Sequence, residues 1–190
     1  MVIIEKKREL TRAAETAKHI KVLLKKQYPN IKFSVKSENY SGGSSVNVEW
    51  NLGCCAKEIE ELVRKYEYGH FDGMIDLYEY SNRRNDIPQA KFVFCRRNYL
   101  GINKEEIQEF IAKQICELIG LNYEGINSVV PVGYGVDLQC GESYFTWVNL
   151  TYRLLAKTCF ESDKWEGYKV DFDSISEGQK ISNCFRIIKV

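Results

Sequence analysis

At 190 residues the chain has room for one large domain or two small ones, and it can bury enough surface to fold without a disulfide or metal staple. Apolar residues at 44% and charged residues at 28% exclude wholesale disorder, and no apolar run approaches the ~20 residues of a membrane span. The net charge of +1 hides a slope: residues 1–50 carry ten Lys/Arg against five Asp/Glu and residues 101–150 two against seven, which suits a polyanion at one end and a basic partner at the other.

Over residues 11–28, Leu10, Ala13, Ala17, Ile20 and Leu24 recur at three- and four-residue steps and predict a helix. Pro29 stops it, because proline disfavours helix in the residue before it. Lys18, Lys21 and Lys25 form a basic ridge beside the apolar stripe. Strict alternation over residues 31–37 predicts a strand with Ile31, Phe33 and Val35 inward, and Val46, Val48 and Trp50 repeat the pattern. Residues 40–45 between them read as the long Gly/Ser tip of an antiparallel hairpin. A short helix follows over 56–67, with Ile59, Leu62, Val63 and Tyr66 on one face. Residues 68–73 read as a turn, 74–80 as a strand, 81–89 as a loop and 91–96 as a fourth strand. This order predicts an α+β fold, an α-β-β-α-β-β antiparallel sheet with its helices on one face.

A seam is expected at Leu100-Gly101, dividing the chain into domains 1–99 and 100–190. Asn103 caps a helix to about Ile119, with Glu106 at the capping-box position, Gly120 at its end, and Ile107, Phe110, Ile111, Ile115 and Leu118 inward. Residues 121–142 are glycine-spaced and extended. A further helix over 143–160 is apolar around much of its circumference, through Phe145, Trp147, Val148, Leu150, Tyr152, Leu154 and Leu155. It is expected to be largely buried, within the chain or against a partner, with Trp147 and Tyr152 as a dimer or partner face. Residues 170–172 and 185–188 are strand candidates in a mixed, helix-rich C-terminal half.

Seven cysteines without a Cys-x-x-Cys pair argue against a zinc ribbon or a redox motif and for reduced thiols in a host cytoplasm. No resident metal or cofactor is expected. Three features carry candidate chemistry. His70, Asp72 and Asp76 could hold a divalent metal or supply a base and its orienter, although Asp72-Gly73 is also a turn signature. Tyr40, Ser41, Gly42, Gly43 and Ser44 could present N–H groups and hydroxyls to a phosphate backbone, without the lysine of a P-loop. Lys18, Lys21, Lys25, Lys32, Lys36, Arg83, Arg84, Arg96 and Arg97 could form a phosphate-binding surface, with Tyr28 or Tyr40 stacking on bases.

The segments Lys18-His-Ile-Lys21, Tyr28-Pro-Asn-Ile-Lys-Phe-Ser-Val35, Tyr40-Ser-Gly-Gly-Ser-Ser45, Trp50, Phe71-Asp-Gly-Met-Ile-Asp76, Tyr78-Glu-Tyr80 and Phe92-Val-Phe-Cys-Arg96 occur in an order that resembles the large polyvalent protein-associated domains. The similarity is to class twenty-nine and covers residues ~15–98. It implies an accessory module of phages and plasmids that helps mobile DNA establish itself, often by blunting host defence, and it carries over no catalytic residue. The expected function is therefore non-enzymatic: binding of nucleic acid or a host defence protein, as an inhibitor of anti-CRISPR or anti-restriction type. A metal-dependent hydrolase or nuclease working through His70, Asp72 and Asp76 is one alternative. A protein–protein interaction module, with possible self-assembly through the C-terminal half, is another.

Overall fold

A computed structural model of the chain describes residues 10–99, 103–129, 146–172 and 185–190. The chain divides into two compact units, Met1–Asn98 and Tyr99–Val190. Both mix helices and strands, so the fold is α+β.

In the first unit, α1 (Arg12–Gln27) starts at Thr11, whose hydroxyl accepts from Ala14 N–H at 3.3 Å. Its Ala13, Thr16, Ala17, Ile20 and Leu24 are buried, which is the stripe that the spacing predicts. β1 (Phe33–Tyr40) and β2 (Gly43–Asn51) form an antiparallel hairpin in which Tyr40 pairs with Gly43. Only Ser41 and Gly42 lie between the strands, so the expected long Gly/Ser tip is a tight turn. At Gly43, where φ is +150°, an added Cβ would fall 2.6 Å from Lys91 Cδ.

After β2 the chain turns through Leu52 and Gly53, both at positive φ, into α2 (Ala56–Val63) and a single 3-10 turn at Arg64–Tyr66. Among the described residues, β3 (His70–Asp72) and β4 (Leu77–Glu79) then pair only with each other. The strand expected over 74–80 is thus half turn and half strand, because Asp76 sits at φ 54° and reverses the chain. β5 (Phe92–Asn98) joins the main sheet beside β2, in the order β1-β2-β5, and runs parallel to β2. The expected four-stranded antiparallel sheet is therefore a mixed sheet of three, with a separate small hairpin.

One face of this sheet carries the core. Val46, Val48 and Trp50 of β2 pack with Ile20 and Leu24 of α1, with Ile59 and Val63 of α2, and with Cys54, Tyr66 and Ala90. Phe33, Val35, Val93 and Cys95 border the same cluster, so both helices cover one face. Trp50 is 2% exposed, donates its indole N–H to Cys54 O at 2.9 Å, and packs against Phe33 with ring centres 5.7 Å apart. Burial pushes the Cys54 and Cys95 thiols up to about 12, and the charges of Glu60 and Glu67 add to the effect at Cys95. Both stay protonated at neutral pH, and iodoacetamide is expected to leave them unmodified in the native protein while labelling exposed Cys159. Site-by-site mass spectrometry after brief alkylation reads this out, and rapid labelling of Cys95 would contradict the packing.

In the second unit, α3 (Lys104–Ile119) is capped by Asn103, whose side-chain oxygen accepts from Glu106 N–H at 3.2 Å, and ends at left-handed Gly120. Ile107, Ile111 and Ile115 are buried as expected, but Phe110 and Leu118 are exposed and Gln108 is buried instead. Phe110 rests edge-on against Trp165, with ring centres 5.1 Å apart. α4 (Trp147–Lys157) buries Trp147, Leu150, Thr151, Leu154 and Leu155. Trp147 is thus core rather than a partner face, and Tyr152 is exposed beneath the ammonium of Lys104. Phe145 lies outside the described residues. β6 (Tyr168–Phe172) and β7 (Phe185–Lys189) pair antiparallel where the two short strands are expected. No helix among the described residues is long and apolar enough to cross a membrane.

Candidate nucleic-acid interface

Strand alternation sends Val93 and Cys95 into the core, so Phe92, Phe94 and Arg96 face the other side of the sheet. Their cross-strand neighbours there are Ser45, Asn47 and Glu49 on β2, and beyond these Glu38, Lys36 and Ser34 on β1. This open face has a polar floor with a pair of aromatic rings at one edge. Phe92 and Phe94 stack with ring centres 5.7 Å apart and planes 14° from parallel. Phe94 is 53% exposed.

The small hairpin extends this pair into a row. Tyr78 of β4 meets Phe92 edge-on at 5.2 Å and Tyr80 at 5.1 Å, and Tyr80 lies stacked on Tyr68 at 5.7 Å with planes 9° apart. The Arg83 guanidinium sits 4.3 Å above the Tyr80 ring. The row therefore runs from Arg83 through Tyr80, Tyr68, Tyr78 and Phe92 to Phe94. Tyr78 anchors it by donating its hydroxyl to the Lys91 carbonyl. Burial pushes the Tyr68 and Tyr78 hydroxyls up, so both stay neutral donors. Lys91 ties the row to the β1–β2 turn: its ammonium donates to Gly42 O at 3.0 Å and lies 5.1 Å from the Tyr78 ring centre. The hairpin has its own lock at Gly69, where an added Cβ would fall 2.0 Å from the Glu79 carbonyl oxygen.

The structure separates the basic residues that the sequence grouped. Lys18, Lys21 and Lys25 are exposed on α1, which packs on the core face, whereas Lys36 points from the open face. Lys32 is exposed just before β1. Arg83 and Arg96 lie with the aromatic row and the open face. Arg84 is held by Asp86 at 2.6 Å. Arg97 points to the core side, where its guanidinium donates to the carbonyls of Leu52 and Gly53 and pins the positive-φ turn after β2. Tyr40 is exposed beside the tight turn of Ser41 and Gly42, and Ser44 Oγ accepts from Lys91 N–H at 3.4 Å. Tyr28 is spent at the core margin, against Phe33 and Glu58.

The carboxylates beside His70 have separate local tasks. Asp72 Oδ1 accepts from Met74 N–H at 2.8 Å and closes the turn, and Asp76 reverses the chain at positive φ. His70 places Nε2 3.5 Å from Glu79 and Nδ1 3.0 Å from Ser81 Oγ. Its partners are these two residues rather than the two aspartates.

The residues that sequence reasoning passed over are Tyr68, Tyr78, Tyr80, Phe92 and Phe94. The available signal was the spacing Tyr78-Glu-Tyr80 and Phe92-Val-Phe94, which puts each pair on one side of its strand.

Residues 11–107, more than half of the chain, match the model of a family described as large polyvalent protein associated domain 29. The matched span runs past Asn98 into the first turn of α3. No curated protein and no solved structure matches the chain.

Proposed function

Because the chain belongs to the family of large polyvalent protein associated domain 29, an accessory module of phages and mobile elements, we propose that it holds single-stranded nucleic acid on the open face of its N-terminal sheet. The observation that carries this reading is the row from Arg83 to Phe94. Unpaired bases stack on exposed rings whatever their identity, and flanking cations hold the phosphates. Phe94 and Tyr80 offer half-exposed rings at the two ends of the row, and Lys36, Arg83 and Arg96 stand beside it. The paired strands of a duplex hide their ring faces, so the surface favours single strands. The action is non-enzymatic and takes place in the host-cell cytoplasm. A strand covered in this way is withheld from host nucleases and guide-RNA complexes, which is how the module would inhibit a host defence.

Fluorescence anisotropy with labelled single- and double-stranded DNA and RNA, at ~50 and ~200 mM salt, tests the reading. Tighter binding of the single strands, weakening ~10-fold or more with salt for about three phosphate contacts, is the expected result. Equal affinity for duplex would remove the stacking argument.

A host defence protein as partner is a second reading, favoured by the apolar tip of the small hairpin. Met74 is 93% exposed there, and Phe71, Ile75 and Leu77 are more than half exposed. No affinity for any oligonucleotide in the same assay would leave this tip as the surface to pursue.

A further inference from the structure

Among the described residues β5 is an edge strand, and its outer side borders a cleft of about 860 Å³ walled by α2 and the 3-10 turn. Asn98 O accepts from Leu52 N–H at 3.0 Å, which places its backbone groups on the β2 side. Alternate residues of a strand aim their backbone groups at opposite edges, so Phe94 and Arg96 also face β2, and Val93 and Cys95 face the cleft. The chain already begins a strand at this edge. Glu67 forms a parallel bridge with Ala90, Ala90 N–H donates to Tyr66 O at 2.9 Å, and Tyr68 N–H donates to Ala90 O at 3.2 Å. The chain then leaves toward β3, and the Glu67 carboxylate alone continues along the edge, accepting from Val93 N–H at 3.4 Å. Among the described residues, nothing accepts from Cys95 N–H or donates to its carbonyl from the cleft side.

From this geometry we infer that the cleft is a second binding site, which takes an extended, basic segment of a partner protein as an added strand along β5. Strand addition draws affinity from main-chain hydrogen bonds and specificity from alternate side chains. The walls carry four carboxylates, Glu49, Glu60, Glu61 and Glu67, against Lys57, Arg64 and Arg96, and Lys57 already lies 3.9 Å from Glu61. Glu67 and Glu49 are the half-buried carboxylates of the set, and burial pushes the Glu67 carboxyl above its ordinary value. An incoming ammonium relieves that desolvated charge. The backbone groups that the site offers lie on the strand edge, and its rim shares Phe94 and Arg96 with the open face, whereas Glu60 and Glu67 lie off that face.

The test uses the full chain, isotope-labelled, and three blocked hexapeptides: alternating lysine and threonine, alternating glutamate and threonine, and the lysine peptide N-methylated at every residue. Amide shift mapping is expected to place the lysine peptide on Val93, Cys95 and α2. Loss of at least ~10-fold in affinity is expected for the glutamate peptide and again for the N-methylated one, which cannot complete the ladder. Glu60→Gln with Glu67→Gln lowers affinity for the lysine peptide several-fold while leaving oligonucleotide affinity unchanged. Binding that tolerates N-methylation would overturn strand addition, as would shifts confined to other elements. A Cys95 amide already protected by self-association of the free chain would make a second copy the occupant and overturn it too. Oligonucleotide binding is scored separately, so failure of either site leaves the other standing.

Discussion

Alanine at both Phe94 and Tyr80 is expected to weaken single-strand binding by about 2–6 kcal/mol, a loss of ~30-fold or more, with the fold unchanged. Each ring is half exposed and outside the core cluster, so truncation removes stacking surface without opening a cavity. Base–aromatic stacking contributes roughly 1–3 kcal/mol per base, and the two rings stand at opposite ends of the row, separated by Tyr68, Tyr78 and Phe92. The two losses should add to within about 0.5 kcal/mol, as they do for sites without a shared partner. Tyr80→Ala also strips the platform beneath Arg83, so its salt dependence should fall along with its affinity. Anisotropy on the two single variants and the double, with circular dichroism as the control for folding, checks each part. Affinity within about twofold of wild type for the double variant would end the proposed function.

Trp50→Ala is expected to cost about 3–5 kcal/mol of stability in the first unit. Trp50 has no room to relax: it is buried where β2 crosses between α1 and α2, flanked by Phe33 and bonded to Cys54 O. Removing it leaves a large cavity and an unpaired buried carbonyl together. Trp50→Phe should restore most of the volume but not the hydrogen bond, and so should cost about 1–2 kcal/mol from the orphaned carbonyl. Hydrogen exchange of the β2 amides measures both and needs no assumption that the two units unfold together. Equal protection in Trp50→Ala and wild type would show that the core is not seated on this residue.

Most of the local structure was legible from period and punctuation. The stripe of α1, the Val46-Val48-Trp50 alternation, the Asn103 cap and the Gly120 stop are local signals, and each lies where it was expected. Two kinds of information were not local. Alternation says which residues share a face, but not which strand is the neighbour or in which direction it runs. Nothing in Phe92-Val-Phe-Cys95 distinguishes parallel pairing with β2 from antiparallel pairing with β4. The same run is apolar on both faces, so it could not reveal that Phe94, rather than Val93, is left outside. Asp76 was misread for another reason: aspartate tolerates the left-handed region through side-chain bonding to the local backbone, and strand propensity in the flanking Ile75, Leu77 and Tyr78 masked the reversal. Of the candidate site, the cations could be listed from sequence but not sorted. Arg97 reads like Arg96, and one step of the strand sends one to the core side and the other to the open face.

The parallel pairing of β2 with β5 also governs the order of events during synthesis. β1, the nearest partner of β2, is made before it, so the hairpin can close as it leaves the ribosome. The other edge of β2 must wait until residues 52–91 have followed, and the turn at Leu52 and Gly53 waits for the Arg97 side chain that pins it. Until then the nascent chain exposes a valine- and tryptophan-bearing strand edge, a template for wrong pairing. A messenger cut short anywhere before Asn98 therefore yields a fragment that cannot close its own sheet, and the host's proteases should clear it rather than accumulate it.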